Sequence, residues 1–241
     1  MRKHLYTIIS IVGLSLILTG CQKSNDATNT SSLARVQKYT KIIQLDPQNA
    51  RAYIELARTY NEIGEKETQK EAKNLAEKAL SLPLTDIEKS DALLEKAAAS
   101  SGKNNILPDI RQAISLNPNN KARAYQITGA WFWRKNQSKQ ALESLDVALS
   151  IDPQNGEAYY WRGRAYHSLK NYQKALEDYD KALQYTQSED LKAWVYSMRC
   201  TILSVNMKQW NQSIEEECTK GQEMLLKQAD QYESLLKSLS N

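Results

Sequence analysis

Two stretches of this chain align with one another without a gap, and that self-similarity limits the fold more than any single motif. One is ARAYQITGAWFWRKNQSKQALESLDVALSIDP, from Ala122 to Pro153, and the other is GEAYYWRGRAYHSLKNYQKALEDYDKALQYTQ, from Gly156 to Gln187. Tyr125 aligns with Tyr159, Gly129 with Gly163, Phe132 with Tyr166, Ala141 with Ala175, Leu145 with Tyr179 and Ala148 with Ala182, always at an offset of 34 residues. A unit of that length repeats one supersecondary element. It cannot bury its apolar face alone, so neighbours must stack.

The chemistry of the pattern is packing. Tyr159, Gly163 and Tyr166 are spaced four and three apart and share one helix face. Gly163 removes a side chain where a partner helix approaches, Ala175 and Ala182 do the same on a second helix, and Tyr179 fills the space between them. Asn171 suits the N-cap of that second helix, and Asp152-Pro153 ends one unit and begins the next turn. The period and these residue types closely resemble the tetratricopeptide repeat. The resemblance implies an all-α, right-handed superhelical solenoid of about five helical hairpins.

Weaker copies flank the central pair. Ala52, Tyr53, Leu56, Ala57, Tyr60 and Gly64 begin an earlier one, with Ala72, Ala76 and Ala79 on its second helix. Glu67 to Lys70 is read as an extended turn. The expected repeats are 50–83, 87–120, 122–155, 156–189 and 191–224, the last carrying Trp194, Trp210, Ser213 and Ile214 as partial matches. Residues from 33 to Pro47 read as a lone second helix, an N-terminal half hairpin. Leu225, Ala229, Tyr232, Leu236 and Leu239 form a stripe expected to be a C-terminal capping helix over about 225–240.

The amino terminus has another purpose. Met1-Arg2-Lys3-His4 is short and basic, and Leu5 to Leu18 is mostly apolar. That describes an export signal and is short for a membrane-crossing helix, which needs about 20 residues. Leu18-Thr19-Gly20-Cys21 closely resembles the lipobox of bacterial lipoproteins. The resemblance implies removal of residues 1–20 and acylation of Cys21, with palmitate as a typical acyl group. Gln22 in place of aspartate favours the outer membrane, periplasmic face, if the envelope has two membranes. Residues 21–32 are nearly free of apolar groups and read as a flexible tether with a mean reach of about 20 Å.

Composition narrows the function. Of 32 basic residues, signal removal takes Arg2 and Lys3, leaving 30 against 28 acidic ones and a net charge of +2. No basic stripe for nucleic acid stands out. One histidine remains, His167, and no nucleophile elbow, zinc-protease motif or phosphate-binding glycine loop is present. The expectation is a protein that is not an enzyme and has no cofactor or metal. Cys200 and Cys218 fall on opposite helices of the fifth hairpin. They are either a disulfide or two buried thiols, and sequence spacing leaves both open.

In the resembled family the first helices line a concave groove that holds a peptide or protein segment. The groove positions, carried over, are Ile54, Arg58 and Asn61 in repeat one, Gln126, Ala130 and Trp133 with Arg134 in repeat three, and Tyr160, Arg164 and His167 in repeat four. Arg58, Trp133, Arg134, Tyr160, Arg164 and His167 are the candidate partner contacts, since arginine and aromatic side chains dominate binding hot spots. Glu88, Asp91 and Glu95 of repeat two divide this groove electrically. The expected function is a lipid-tethered adaptor or scaffold in the bacterial envelope, serving assembly of a pilus, secretion or outer-membrane complex. An envelope lipoprotein that binds a small ligand or acts as an enzyme is the alternative. A self-assembling structural lipoprotein is a further one.

Overall fold

The computed structural model describes residues 32–100 and 104–239, with side chains to 233. The export signal, Cys21, all but the last residue of the tether, and the side chains of Leu236 and Leu239 lie outside the described residues. Among those described, every regular element is helical. The helices are α1 (Ser32–Leu45), α2 (Ala50–Ile63), α3 (Lys66–Leu80), α4 (Asp86–Ala98), α5 (Leu107–Leu116), α6 (Lys121–Arg134), α7 (Ser138–Ile151), α8 (Gly156–Ser168), α9 (Tyr172–Tyr185), α10 (Glu189–Thr201) and α11 (Gln212–Leu239). None is long and apolar enough to cross a membrane.

The helices pair as the repeat demands: α2 with α3, α4 with α5, α6 with α7, α8 with α9 and α10 with α11. Local signals set their starts. Asn49, Asn155, Asn171 and Ser188 each accept a hydrogen bond from a backbone N–H in the first turn of α2, α8, α9 and α10. Thr85 and Glu88 close a reciprocal capping box on α4. The α2–α3 turn passes through left-handed Gly64, and the α6–α7 and α8–α9 turns through Asn136 and Lys170 in the same conformation.

Inside each hairpin the contacts are close. A Cβ on Gly163 would lie 2.7 Å from Cε1 of Tyr179, and one on Gly129 would lie 2.4 Å from Cγ of Leu145. Tyr179 and Leu145 are fully buried between Ala175 and Ala182 and between Ala141 and Ala148. One continuous core runs through α7, α8, α9 and α10, with smaller clusters at the front of the coil.

Three expectations change. Glu67 to Lys70 do not extend a turn, because α3 starts at Lys66 and the additional residues lengthen its first turn. The capping helix is not separate: α11 runs unbroken from Gln212 through the whole 225–239 stripe. Repeat five also leaves the strict register. α10 continues into a five-residue π-helical turn, Ile202–Asn206. Ile214 and Gly221 take the packing places on α11 that Ala175 and Ala182 hold on α9, five residues beyond the 34-residue offset. A Cβ on Gly221 would lie 2.9 Å from Cβ of Tyr196, so this glycine lets α11 approach α10. Trp210, expected to match the pattern, stands 53% exposed in the connecting loop.

The coil is tight enough for its ends to meet. α1 packs on α2 and also touches α11, and α10 touches α2. Ser32 Oγ donates to Asp190 Oδ2 at 2.7 Å. Tyr232 of α11 packs against the cluster of Val36, Leu56 and Tyr60.

Candidate functional site

The concave face is built by α2, α4, α6 and α8, and it is far more occupied by the protein itself than an open groove. Ile54, Gln126, Ala130 and Tyr160, all expected to face a partner, are buried. What remains is a cavity of about 70 Å³ bordered by Arg58, Asn61, Gln126, Arg134, Glu157 and Trp161. The reason is electrostatic as well as steric. Arginines on α2 and α6 converge on one carboxylate of α4 and draw the three helices together.

That carboxylate is Glu95, fully buried. Arg58 Nε donates to its Oε1 at 2.9 Å, the Arg123 guanidinium lies 2.7 Å from the same oxygen, and Asn61 Nδ2 donates to Oε2 at 3.1 Å. Arg58 also pairs with Glu55 at 3.2 Å. Its burial opposes the charge, but these carboxylates raise its pKa on balance. Arg58 is therefore committed inside the protein and is not a free partner contact. The expected electrical division of the groove also disappears. Asp91 pairs with Arg51 at 2.8 Å and accepts from Asn120 Nδ2 at 2.8 Å, while Glu88 belongs to the cap of α4.

The other candidates do converge, on the last turns of α6 and α8. The Arg164 guanidinium sits 3.8 Å from the Trp133 ring centre and donates to the Tyr160 hydroxyl at 3.0 Å. Arg134 lies 5.1 Å from the Trp161 ring centre and donates to the carbonyl of Ala98 at 3.2 Å. Trp133 and Trp161 are 5.5 Å apart, and the Trp133 indole N–H donates to Ser168 Oγ at 3.1 Å. Burial pushes the Arg134 pKa down and Arg164 pushes it further. Burial also raises that of Tyr160, against the pull of the two arginines. Tyr160 is 5% exposed and forms a wall of the cluster more than a contact surface.

The cluster has a distinctive charge state. Arg35, Arg51, Arg58, Arg123, Arg162 and Arg199 each pair with a carboxylate, and Arg111 is exposed on α5. Among the described residues only Arg134 and Arg164 are partly buried arginines without a carboxylate within ion-pair distance. They are held by aromatic faces, each contact of this kind contributing about 0.5–2 kcal/mol. Trp161, at the centre of the cluster, was missed in the sequence. The repeat register places it opposite Ile127, a core position, and only the neighbouring arginines signalled another role.

His167 lies apart from this cluster. Its Nε2 is 3.2 Å from Asn206 Oδ1 in the π-helical turn, and its ring stands 5.7 Å from that of Tyr172. Burial lowers its pKa, with Arg164 adding to the effect and the Asn206 bond opposing it. Cys200 and Cys218 join α10 to α11 as a disulfide, with their Cα atoms 5.0 Å apart. No group of three or more metal-ligating side chains occurs among the described residues.

Comparison with known proteins agrees with the architecture. Tetratricopeptide-repeat models match residues 38–71 and 156–185, and a TPR repeat model matches 132–170. The first stretch runs from within α1 through α2 into α3. The fold is an all-α tetratricopeptide-repeat solenoid. Among curated proteins, the chain is 25% identical over 160 residues to the DnaJ homolog subfamily C member 3 homolog of Dictyostelium discoideum, covering 61% of this chain and 32% of that protein. It is 29% identical over 80 residues to the human mitochondrial import receptor subunit TOM70, covering 32% and 13%. The match thus spans less than a third of either relative. Among solved structures it is similar to YrrB, described as a TPR protein with an unusual peptide-binding site, at 29% identity, 66% and 80% coverage and a TM-score of 0.39.

Proposed function

We propose that this chain is a non-enzymatic scaffold of a bacterial cell envelope, tethered by acylated Cys21 and recognising a segment of another envelope protein. The carrying observation is the aromatic–arginine cluster of α6 and α8. Two cations without carboxylates, walled by two tryptophans, are costly to retain for packing alone and are suited to a partner's acidic and apolar groups. The human relative, by its name a receptor subunit, is consistent with a protein-binding use of such repeats. The lipid reading rests on the tetrad ending at Cys21 and the short apolar run before it. Gln22 in place of aspartate favours outer-membrane residence if the envelope has two membranes.

The test compares cross-linked capture from intact envelopes by three forms of the chain. Trp133→Ala with Arg164→Ala should lose the partner that wild type retains, while Lys139→Ala, on the exposed face of α7, should keep it. Equal capture by a well-folded double variant removes the cluster from the interface. Separately, labelled palmitate should enter wild type and not Cys21→Ser, and labelling of both would overturn the anchor.

A further inference from the structure

The cavity on the concave face contains polar groups that the protein leaves unanswered, and they are of complementary kinds. Gln126 is 6% exposed, borders the cavity, and its amide makes no hydrogen bond among the described residues. Asn61 Oδ1 is buried without a partner. Flipping that amide gives no relief, because Asn61 Nδ2 already donates to the Glu95 carbonyl and carboxylate, and an oxygen there would face two acceptors. Among the described residues Glu157, exposed in the first turn of α8, has neither an ion pair nor a hydrogen bond, and Arg134 has no carboxylate within ion-pair distance. Trp161 supplies a flat wall between them.

Burial of a polar side chain is tolerated when something satisfies it. The space of about 70 Å³ is too large for a single water, whose share of liquid volume is about 30 Å³. It is also well below a drug-sized pocket of roughly 300 Å³ or more. Two acceptors, Asn61 Oδ1 and the Glu157 carboxylate, call for a donor group carrying positive charge. The Arg134 guanidinium and the Gln126 amide call for an acceptor carrying negative charge. The nearby Arg58 and Arg123 add no vacant cation, since Glu95 occupies both. A single-sign ligand would satisfy one half and meet repulsion from the other.

We propose that this cavity binds a small zwitterion of the amino-acid class, with its ammonium on Glu157 and Asn61 and its carboxylate on Arg134 and Gln126. Glu157 is exposed at the cavity mouth, so its carboxylate is reachable by an arriving ammonium. This site shares Arg134 and Trp161 with the cluster on which the scaffold reading rests, but the two fail separately: Trp133, Arg164 and Cys21, on which that reading is tested, do not border the cavity.

The experiment is calorimetric titration of the full chain in detergent, without any partner protein, using glycine, β-alanine and 4-aminobutyrate. Acetate and methylamine serve as single-charge controls. One of the zwitterions should bind saturably and raise the melting temperature, with the chain length that binds best reporting the separation of the two charge sites. Each control should bind at least about tenfold more weakly. Glu157→Gln, at a position with no partner to lose, should weaken binding about tenfold or more, and Arg134→Gln should do likewise. If Arg134→Gln fails to fold, Glu157→Gln decides alone. Absence of saturable binding by all three zwitterions would mean that the cavity holds only water, and binding unchanged in Glu157→Gln would place the ligand elsewhere; either result overturns the proposal.

Discussion

Gly163 and Glu95 show two ways in which one residue controls this fold. At Gly163 the constraint is space, since the Tyr179 ring and the carbonyl of Ala175 occupy the position a side chain would need. Gly163→Leu should destabilise the protein by about 1–3 kcal/mol, read from urea denaturation followed by circular dichroism. An unchanged midpoint would contradict the packing. At Glu95 the constraint is charge. Glu95→Ala leaves Arg58 and Arg123 without their shared carboxylate, a loss of about 3–5 kcal/mol for a broken buried pair. His167 adds a pH dependence. Its folded-state pKa is below the ordinary 6.5, so the unfolded chain takes up the proton first and stability falls as pH drops below about 6.5 toward the folded value. His167→Gln should lose less melting temperature than wild type between about pH 7 and pH 5. Gly163 and the Asn171 cap were legible because each lies in a local pattern. Trp161 was not, because its position in the repeat is occupied elsewhere by a core isoleucine.

Among the elements, the central hairpins followed the sequence closely and the fifth did not. The period hides the shift at Ile202–Asn206, because a π-helical turn has no composition signal and the residues after it are polar on most faces. Gly221 was the available clue, a glycine inside an otherwise continuous helix where α11 needed to approach α10. The disulfide closes this irregular stretch at both sides, from Cys200 to Cys218. Cys200→Ser with Cys218→Ser should cost about 2–4 kcal/mol by the loop-entropy account. Hydrogen exchange should show the increased opening concentrated in α10 and the first turns of α11, with α6 to α8 little changed. Uniform loss of protection across all hairpins would show that the bond supports the whole coil and not its last unit.

For the whole molecule, the consequential contacts join residues that no local pattern relates. Ser32 and Asp190 are separated by 158 positions, and Tyr232 reaches the core of the first hairpin. A 34-residue period specifies how neighbours stack but carries no information on whether the last unit returns to the first, which is why the meeting of the two ends was not foreseen. Tyr232→Ser should release α11 from α1 and α2, raising the radius of gyration in X-ray scattering while leaving helical content nearly unchanged.

The meeting of α10 with α2 and of α11 with α1 has a consequence for how the protein comes apart. Linear repeat arrays have stability close to a sum of units and nearest-neighbour interfaces, so they fray from their termini inward. When the first and last units are themselves neighbours, fraying either one breaks an interface on both sides, as removing a stone does in an arch. Unfolding should then be a single cooperative transition, identical by circular dichroism of the entire chain and by fluorescence in a Trp194→Phe, Trp210→Phe background, where the remaining tryptophans lie in repeats three and four. Once that seam is opened by Tyr232→Ser, the two signals should separate, because the terminal hairpins regain the freedom to melt alone.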